Sequence, residues 1–95
     1  MAIRVIIEWK TFPGNESLLN ELLVKTRTKL LGTKGYIYGE TLRSLDDPSS
    51  FIVISAWNSL EDWNAWVESE GRKEALKEVD ALLRAPSVHR VFICG

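Results

Sequence analysis

Ninety-five residues, 45% hydrophobic and 26% charged, have the length and composition of one ordinary globular domain spanning residues 1–95, not of a disordered or fibrous chain. Twelve Lys and Arg stand against thirteen Asp and Glu, a formal net charge of −1, which lacks the basic surplus of a nucleic-acid binder. One cysteine and one histidine exclude an internal disulfide framework and leave too few soft ligands for a zinc or iron–sulfur centre, and no apolar run approaches the ~18 residues of a membrane span.

The first predicted element is a strand over Ile3 to Phe12, where Ile3, Val5, Ile7 and Trp9 alternate with Arg4, Ile6, Glu8 and Lys10. The short Val5-Ile6-Ile7 run between Arg4 and Glu8 does not make a signal peptide, so the expected compartment is the cytoplasm. Pro13-Gly14 ends this strand, and Asn15 is the expected N-cap of a helix carrying Leu18, Leu19, Leu22, Leu23, Thr26 and Leu30 at helical spacing. Glu16 in its first turn and Lys25, Arg27 and Lys29 near its end suit the helix dipole, and Gly32 is a C-terminal stop.

Tyr36 to Leu45 and Phe51 to Asn58 are predicted to form an antiparallel hairpin around Asp46-Asp47-Pro48-Ser49, with Arg43 pairing Asp46 or Asp47. Ser59-Leu60-Glu61-Asp62 has capping-box spacing and opens a helix with Leu60, Trp63, Trp66 and Val67 in one arc. Ser69-Glu70-Gly71 interrupts it. Ala75, Leu76, Val79, Leu82 and Leu83 form the apolar stripe of a second segment ended by Pro86, and Val88 to Cys94 closes the chain as a strand. The order strand, helix, strand, strand, helix pair, strand is the split βαβ pattern of an α+β ferredoxin-like fold with a four-stranded antiparallel sheet. Two helices cover one face of such a sheet. The other face carries Ile52, Ile54 and Ala56, which predicts that a second subunit covers it.

Several chemistries are absent. There is no Gly-rich phosphate loop and no nucleophile elbow. His89 and Cys94 are five apart on one strand, so they face opposite ways and cannot share a metal. An RNA-binding domain has the same element order, but Ser50-Phe51-Ile52-Val53-Ile54-Ser55-Ala56-Trp57 is a core strand and not a base-stacking platform.

The distinctive feature is four tryptophans, three of them within ten positions. Trp63, in the middle of its stripe, reads first as core. Trp66 and Trp57 suit a pocket wall as well as they suit packing, since an indole N–H orients an oxygen while its ring packs on a flat ligand. Tyr36 and Tyr38, placed on one strand face, are hydrogen-bonding candidates, and Gly39 in the strand interior leaves room for a ligand or marks a bulge. Asn64, Arg72 and His89 complete the polar set, each with a plainer reading: solvated helix face, solvated helix break and structural strand histidine. The candidate catalytic residues are Trp66, Tyr36 and Asn64. Trp57, Trp63, Tyr38, Arg72 and His89 are candidates for substrate binding, and no metal site is expected.

Pro13-Gly14, Gly35-Tyr36, Leu42-Arg43-Ser44-Leu45-Asp46-Asp47-Pro48, Phe51-Ile52-Val53 and above all Trp57-Asn58-Ser59-Leu60-Glu61-Asp62-Trp63-Asn64-Ala65-Trp66 resemble the antibiotic biosynthesis monooxygenase domain of the dimeric α/β-barrel superfamily. The resemblance implies two ferredoxin-like subunits pairing sheet to sheet, each with a pocket between sheet and helices. It further implies a monooxygenase without metal or flavin, in which an ionised phenol, quinol or anthrone passes an electron to O₂ and the protein binds, orients and excludes water. Trp66 matches the helical position of a pocket tryptophan in related oxygenases. Other members degrade haem, using an asparagine on the first strand and an iron-ligating histidine ten residues after that tryptophan. Ile7 and Leu76 stand at those positions here, which disfavours that route. Many members also carry a histidine in the helix of Trp63 and Trp66, and this chain has none. The alternative reading is a non-oxygenase barrel that binds or isomerises a small ligand, since one fold hosts many functions.

Overall fold

The computed structural model describes residues 1–95 as β1 (Ile3–Lys10), α1 (Glu16–Leu30), β2 (Tyr36–Arg43), β3 (Ser50–Trp57), α2 (Leu60–Glu68), α3 (Glu70–Asp80) and β4 (Val88–Ile93). The strands form one antiparallel sheet in the order β2-β3-β1-β4, the ferredoxin-like arrangement predicted from the element order. No helix is long and apolar enough to cross a membrane.

Alternation along β1 assigns the two faces. Ile3, Val5, Ile7 and Trp9 are buried, and their cross-strand partners Trp57, Ser55, Val53 and Phe51 on β3 share that face. Leu19, Leu23 and Leu30 of α1, Trp63 and Trp66 of α2 and Val79 of α3 close over it as one core. The opposite face carries Ile6, Ile52 and Ile54 beside exposed Tyr38, Leu42, Val88 and Phe92. Arg4, Glu8, Lys10, Glu40 and Arg90 are interspersed there, so this face is mixed, not uniformly apolar.

Long-range backbone bonds account for the differences from expectation. β1 stops at Lys10 and not at Phe12, because Thr11 turns to bridge Leu83 while its hydroxyl donates to the Leu82 carbonyl at 2.8 Å. For the same reason α3 ends at Asp80, well before Pro86. Phe12 N–H donates to Leu82 O at 3.1 Å and Arg84 N–H to Lys10 O at 2.9 Å, so residues 82–84 serve the end of β1 instead of a helix. The Arg84 guanidinium then reaches Asp47 at 3.1 Å, taking the carboxylate expected for Arg43. Arg43 instead donates from Nε to Pro48 O at 2.9 Å and lies over Phe51. Asn15 makes no capping bond; the Glu16 carboxylate accepts from Gly14 N–H at 2.7 Å in its place. At α2 the predicted cap is present, with Ser59 Oγ accepting from Asp62 N–H at 3.1 Å.

The two tyrosines of β2 do not share a face. Tyr36 opposes Trp57 and Tyr38 opposes the adjacent Ala56, so Ile37 is an extra residue in the ladder. Such a bulge reverses the side-chain alternation beyond it. Tyr36 therefore points toward the helices, and Tyr38 lies on the open face beneath the Arg4 guanidinium, 5.9 Å from the ring centroid.

Leu19 is fully enclosed and Leu45 is 99% exposed. Leu19→Ala is expected to cost about 2–5 kcal/mol, seen as a lower urea midpoint with an unchanged slope. Leu45→Ala is expected to change stability by less than about 0.5 kcal/mol.

Candidate functional site

Between the helix-facing side of the sheet and the helices lies a cavity of about 50 Å³. Its floor is Ile7 and Trp9 of β1, Val53 and Ser55 of β3, and Tyr36, Gly39 and Thr41 of β2. Its roof is built by Leu23, Thr26, Arg27 and Leu30 of α1, Trp63 and Trp66 of α2, and Arg72 and Leu76 of α3. The walls hold two arginines and no carboxylate, although the whole chain is close to neutral.

The Ile37 bulge turns the Tyr36 ring inward, where it meets Trp57 edge-on at 5.5 Å. Its hydroxyl lies over Gly39, where a Cβ would come within 2.7 Å of the phenol oxygen. Gly39 is thus the open space that the phenol needs. Burial raises the Tyr36 pKa, and the nearby Arg27 charge opposes that rise. At neutral pH Tyr36 is therefore a hydrogen-bond donor, not a base.

Trp57 is fully buried, and its Nε1–H donates to Ser55 Oγ at 3.0 Å. It meets Trp63 edge-on at 5.6 Å, and the Arg72 guanidinium lies 5.6 Å from the Trp63 ring centroid. Burial pulls the Arg72 pKa down from its ordinary value while Asp80 opposes that shift, and the group stays cationic at neutral pH. Ser69, between α2 and α3, joins the two roof residues. Its Oγ donates to Trp66 O at 2.7 Å and accepts from Arg72 N–H at 3.2 Å. Outside the roof lies an open surface groove of about 550 Å³ bordered by Thr33, Lys34, Glu61, Asp62 and Gly71, and Trp66 borders both spaces.

Of the residues singled out in the sequence, the cavity brings together Trp66, Trp63, Tyr36 and Arg72. Trp57 lies behind it and buttresses Tyr36 and Trp63. Asn64 points to solvent, one step around α2 from the buried Trp63. Tyr38 is on the far side of the sheet, for the bulge reason given above. His89 stands on the edge strand opposite Ile7, its ring 6.5 Å from Trp63 but outside the cavity wall. Burial of that ring, then the positive Arg72, presses the His89 pKa below its usual value, while Asp80 opposes.

Two wall residues carry polar chemistry that the sequence reading missed. Arg27 was legible only as a complement to the helix dipole. Trp9 was legible as an inward strand residue, but not as a donor: it is 2% exposed, and its Nε1 is the chain's one buried side-chain nitrogen or oxygen without a hydrogen-bond partner. Leaving such a donor unpaired costs about 1–3 kcal/mol.

The cavity stands where the sequence placed it but is smaller than expected. It has room for water, whereas a cavity that holds benzene measures roughly 150 Å³. Ile7 and Leu76 both line it, and neither hydrocarbon side chain can ligate iron or hydrogen-bond an iron-bound ligand. The wall therefore does not fit the haem-degrading site.

A family profile for antibiotic biosynthesis monooxygenases matches residues 2–78. Among curated proteins, Protein SchA of Streptomyces halstedii is 21% identical over 82 residues, covering 86% of this chain; the chain spans 22% of the length of that relative. Among solved structures, a conserved protein from Methanosarcina mazei Go1 superposes with a TM-score of 0.92 at 17% identity, covering 100% of this chain and 94% of that one. SnoaB, a cofactor-independent oxygenase from Streptomyces nogalater, superposes at 0.87 and 17% identity, covering 99% and 93%. At these identities the superpositions establish the shared fold.

Tyr36 is expected to ionise above the ordinary phenol value of about 10, and Arg27→Gln to move it higher still, in a titration at 295 nm referenced to Tyr36→Phe. The sign for stability follows from the raised pKa. The Tyr36 contribution is present below the unfolded value and is lost as pH rises through the folded one.

Proposed function

The chain belongs to the antibiotic biosynthesis monooxygenase family, and on that premise we propose that it is a cofactor-independent monooxygenase of a small aromatic phenol, quinol or anthrone-like substrate. The observation that supports this most is the character of the cavity: indole and phenol walls from Trp63, Trp66 and Tyr36, with two arginines and no carboxylate. The two arginine charges favour the ionised form of a bound phenol, against the rise in pKa that desolvation imposes on any phenol there, Tyr36 included. The phenolate passes one electron to O₂, the two radicals join to a carbon-bound peroxide, and loss of water leaves a carbonyl. The balance is one ring CH₂ plus O₂ giving C=O plus H₂O, so the substrate supplies every electron. In this reading Trp66 and Trp63 pack on the flat ring, and Tyr36, neutral at working pH, donates to a substrate oxygen. Arg27 and Arg72 hold the negative charge. The name of SnoaB describes a reaction of this class on the same fold, which adds the weight of analogy.

A cavity of about 50 Å³ must widen to take such a substrate. Trp66 is the wall shared with the outer groove, so displacement of its ring joins the two spaces. The small volume also favours the second reading, a non-oxygenase member that binds or isomerises a smaller ligand.

We also propose a homodimer through the open sheet face. Tyr38, Leu42, Val88 and Phe92 stand exposed there beside Ile6, Ile52 and Ile54, with Arg4, Glu8, Glu40 and Arg90 interspersed as charged partners for a second copy. Burial of this face against a second copy is expected to exceed ~1,600 Å² in total.

Oxygen uptake with hydroquinones and anthrones in metal-free buffer tests the oxygenase reading. One O₂ per substrate is expected, with a rate about 100-fold lower in Arg72→Gln. Absence of uptake across the panel, with ligand binding retained, supports the second reading. Light scattering at micromolar concentration is expected to give twice the 10.8 kDa chain mass, and the chain mass alone for Phe92→Asp.

A further inference from the structure

Trp57 and Trp9 are both inward-facing strand tryptophans with almost no solvent exposure. The fold satisfies one of them internally. Trp57 Nε1–H reaches Ser55 Oγ, the same-face residue two positions earlier on its own strand. At Trp9 the equivalent neighbour is Ile7, which offers only hydrocarbon. The neighbour on the other side is Thr11, whose hydroxyl donates to Leu82 O and does not bond the indole. The residue opposite is Phe51. No oxygen of the chain accepts from this N–H, and the residue that carries it belongs to the cavity wall.

A buried donor without an acceptor is rare in folded proteins and calls for a partner that is not part of the chain. That partner must bring an acceptor oxygen, and the cavity that Trp9 lines is the space nearest to hand for it. The other polar wall groups narrow its charge. Arg27 and Arg72 bring positive charge, and no carboxylate lines the wall, so an acceptor oxygen on the ligand is favoured over a cationic group.

We propose that Trp9 is a specificity-determining residue of the cavity, whose Nε1–H hydrogen-bonds a carbonyl or carboxylate oxygen on a flat aromatic ligand. The inference rests on the reading of the cavity as the ligand site, and it is independent of the oxygen chemistry assigned to that site. It makes the ligand two-ended: an aromatic body against Trp63 and Trp66, and an acceptor oxygen anchored at Trp9.

The test uses the full chain with ¹⁵N-labelled indoles and three bicyclic probes. These are 1-tetralone, with a neutral carbonyl; tetralin, with a methylene in its place; and 1-naphthoate, with an ionised carboxylate. The Trp9 Nε1–H signal, assigned through its contacts to Phe51, is expected to move downfield with tetralone or naphthoate and to stay still with tetralin. Tetralone is expected to bind about tenfold more tightly than tetralin, and Trp9→Phe to erase that preference. A larger shift and tighter binding for naphthoate than for tetralone identify the ligand as an anion, and the reverse order a ketone or quinone. The proposal is overturned if the probes bind without moving the Trp9 signal, as they would if a resident water held the N–H. It is overturned equally if Trp9→Phe keeps the preference for tetralone, or if no probe binds. Should Trp9→Phe fail to fold, the signal in the unmodified chain decides. A chain that binds tetralone through Trp9 yet consumes no O₂ with phenols keeps this proposal and loses the oxygenase reading. One that consumes O₂ while its Trp9 signal ignores every probe does the opposite.

Discussion

A relay of edge-to-face rings spans the molecule: Tyr36 on β2, Trp57 on β3, Trp63 on α2 and His89 on β4, with successive centroids 5.5, 5.6 and 6.5 Å apart. The order of contacts fixes α2 over the centre of the sheet, because Trp63 touches rings from both sides of it. Edge-to-face pairing has an angular preference that aliphatic packing lacks, so the relay sets helix orientation as well as burial. Everything in the cavity depends on this placement. Trp66 lies one turn further along the helix that Trp63 anchors, and Arg72 takes its position over the Trp63 face.

The fold was legible in the chain because alternation and helical spacing are local signals. Ile3, Val5, Ile7 and Trp9 assign the inner face of the sheet without any help from the rest of the protein. What was not legible is non-local. The end of α3 is decided by partners some seventy residues earlier: the Leu82 carbonyl accepts from Thr11, at a separation of 71, and from Phe12, while Arg84 N–H donates to the Lys10 carbonyl. The bulge at Ile37 leaves no mark except a glycine two residues on, and Gly39 was read as room for a ligand or the mark of a bulge. It proves to be beside the bulge, since the strand slips at Ile37, while the Tyr36 hydroxyl occupies the space over Gly39.

The site itself was half legible. Trp66, Trp63, Tyr36 and Arg72 converge as aromatic and cationic walls, and their types suggested it. Trp9 was hidden by its own pattern. A tryptophan in an alternating strand looks like core, and its distinguishing property is the missing partner of its N–H, which no spacing rule reveals. Arg27 was hidden because a basic residue in the last turn of a helix already has a sufficient explanation. Ile7 and Leu76 show the reverse case: two hydrocarbon residues, one on the floor and one in the roof, disfavour a chemistry that the neighbouring tryptophan alone would have invited.

Ser69 sits where α2 gives way to α3, with extended backbone between two helical segments. One hydroxyl ties the last turn of the first helix to the first turn of the second, and through them Trp66 to Arg72. In mechanical terms the roof is two rigid rods pinned at a single joint. Trp66 and Arg72 thus bear on the same joint, so outward movement of the indole and tilt of the segment that carries the guanidinium share one pivot above the hydrogen-bonded sheet.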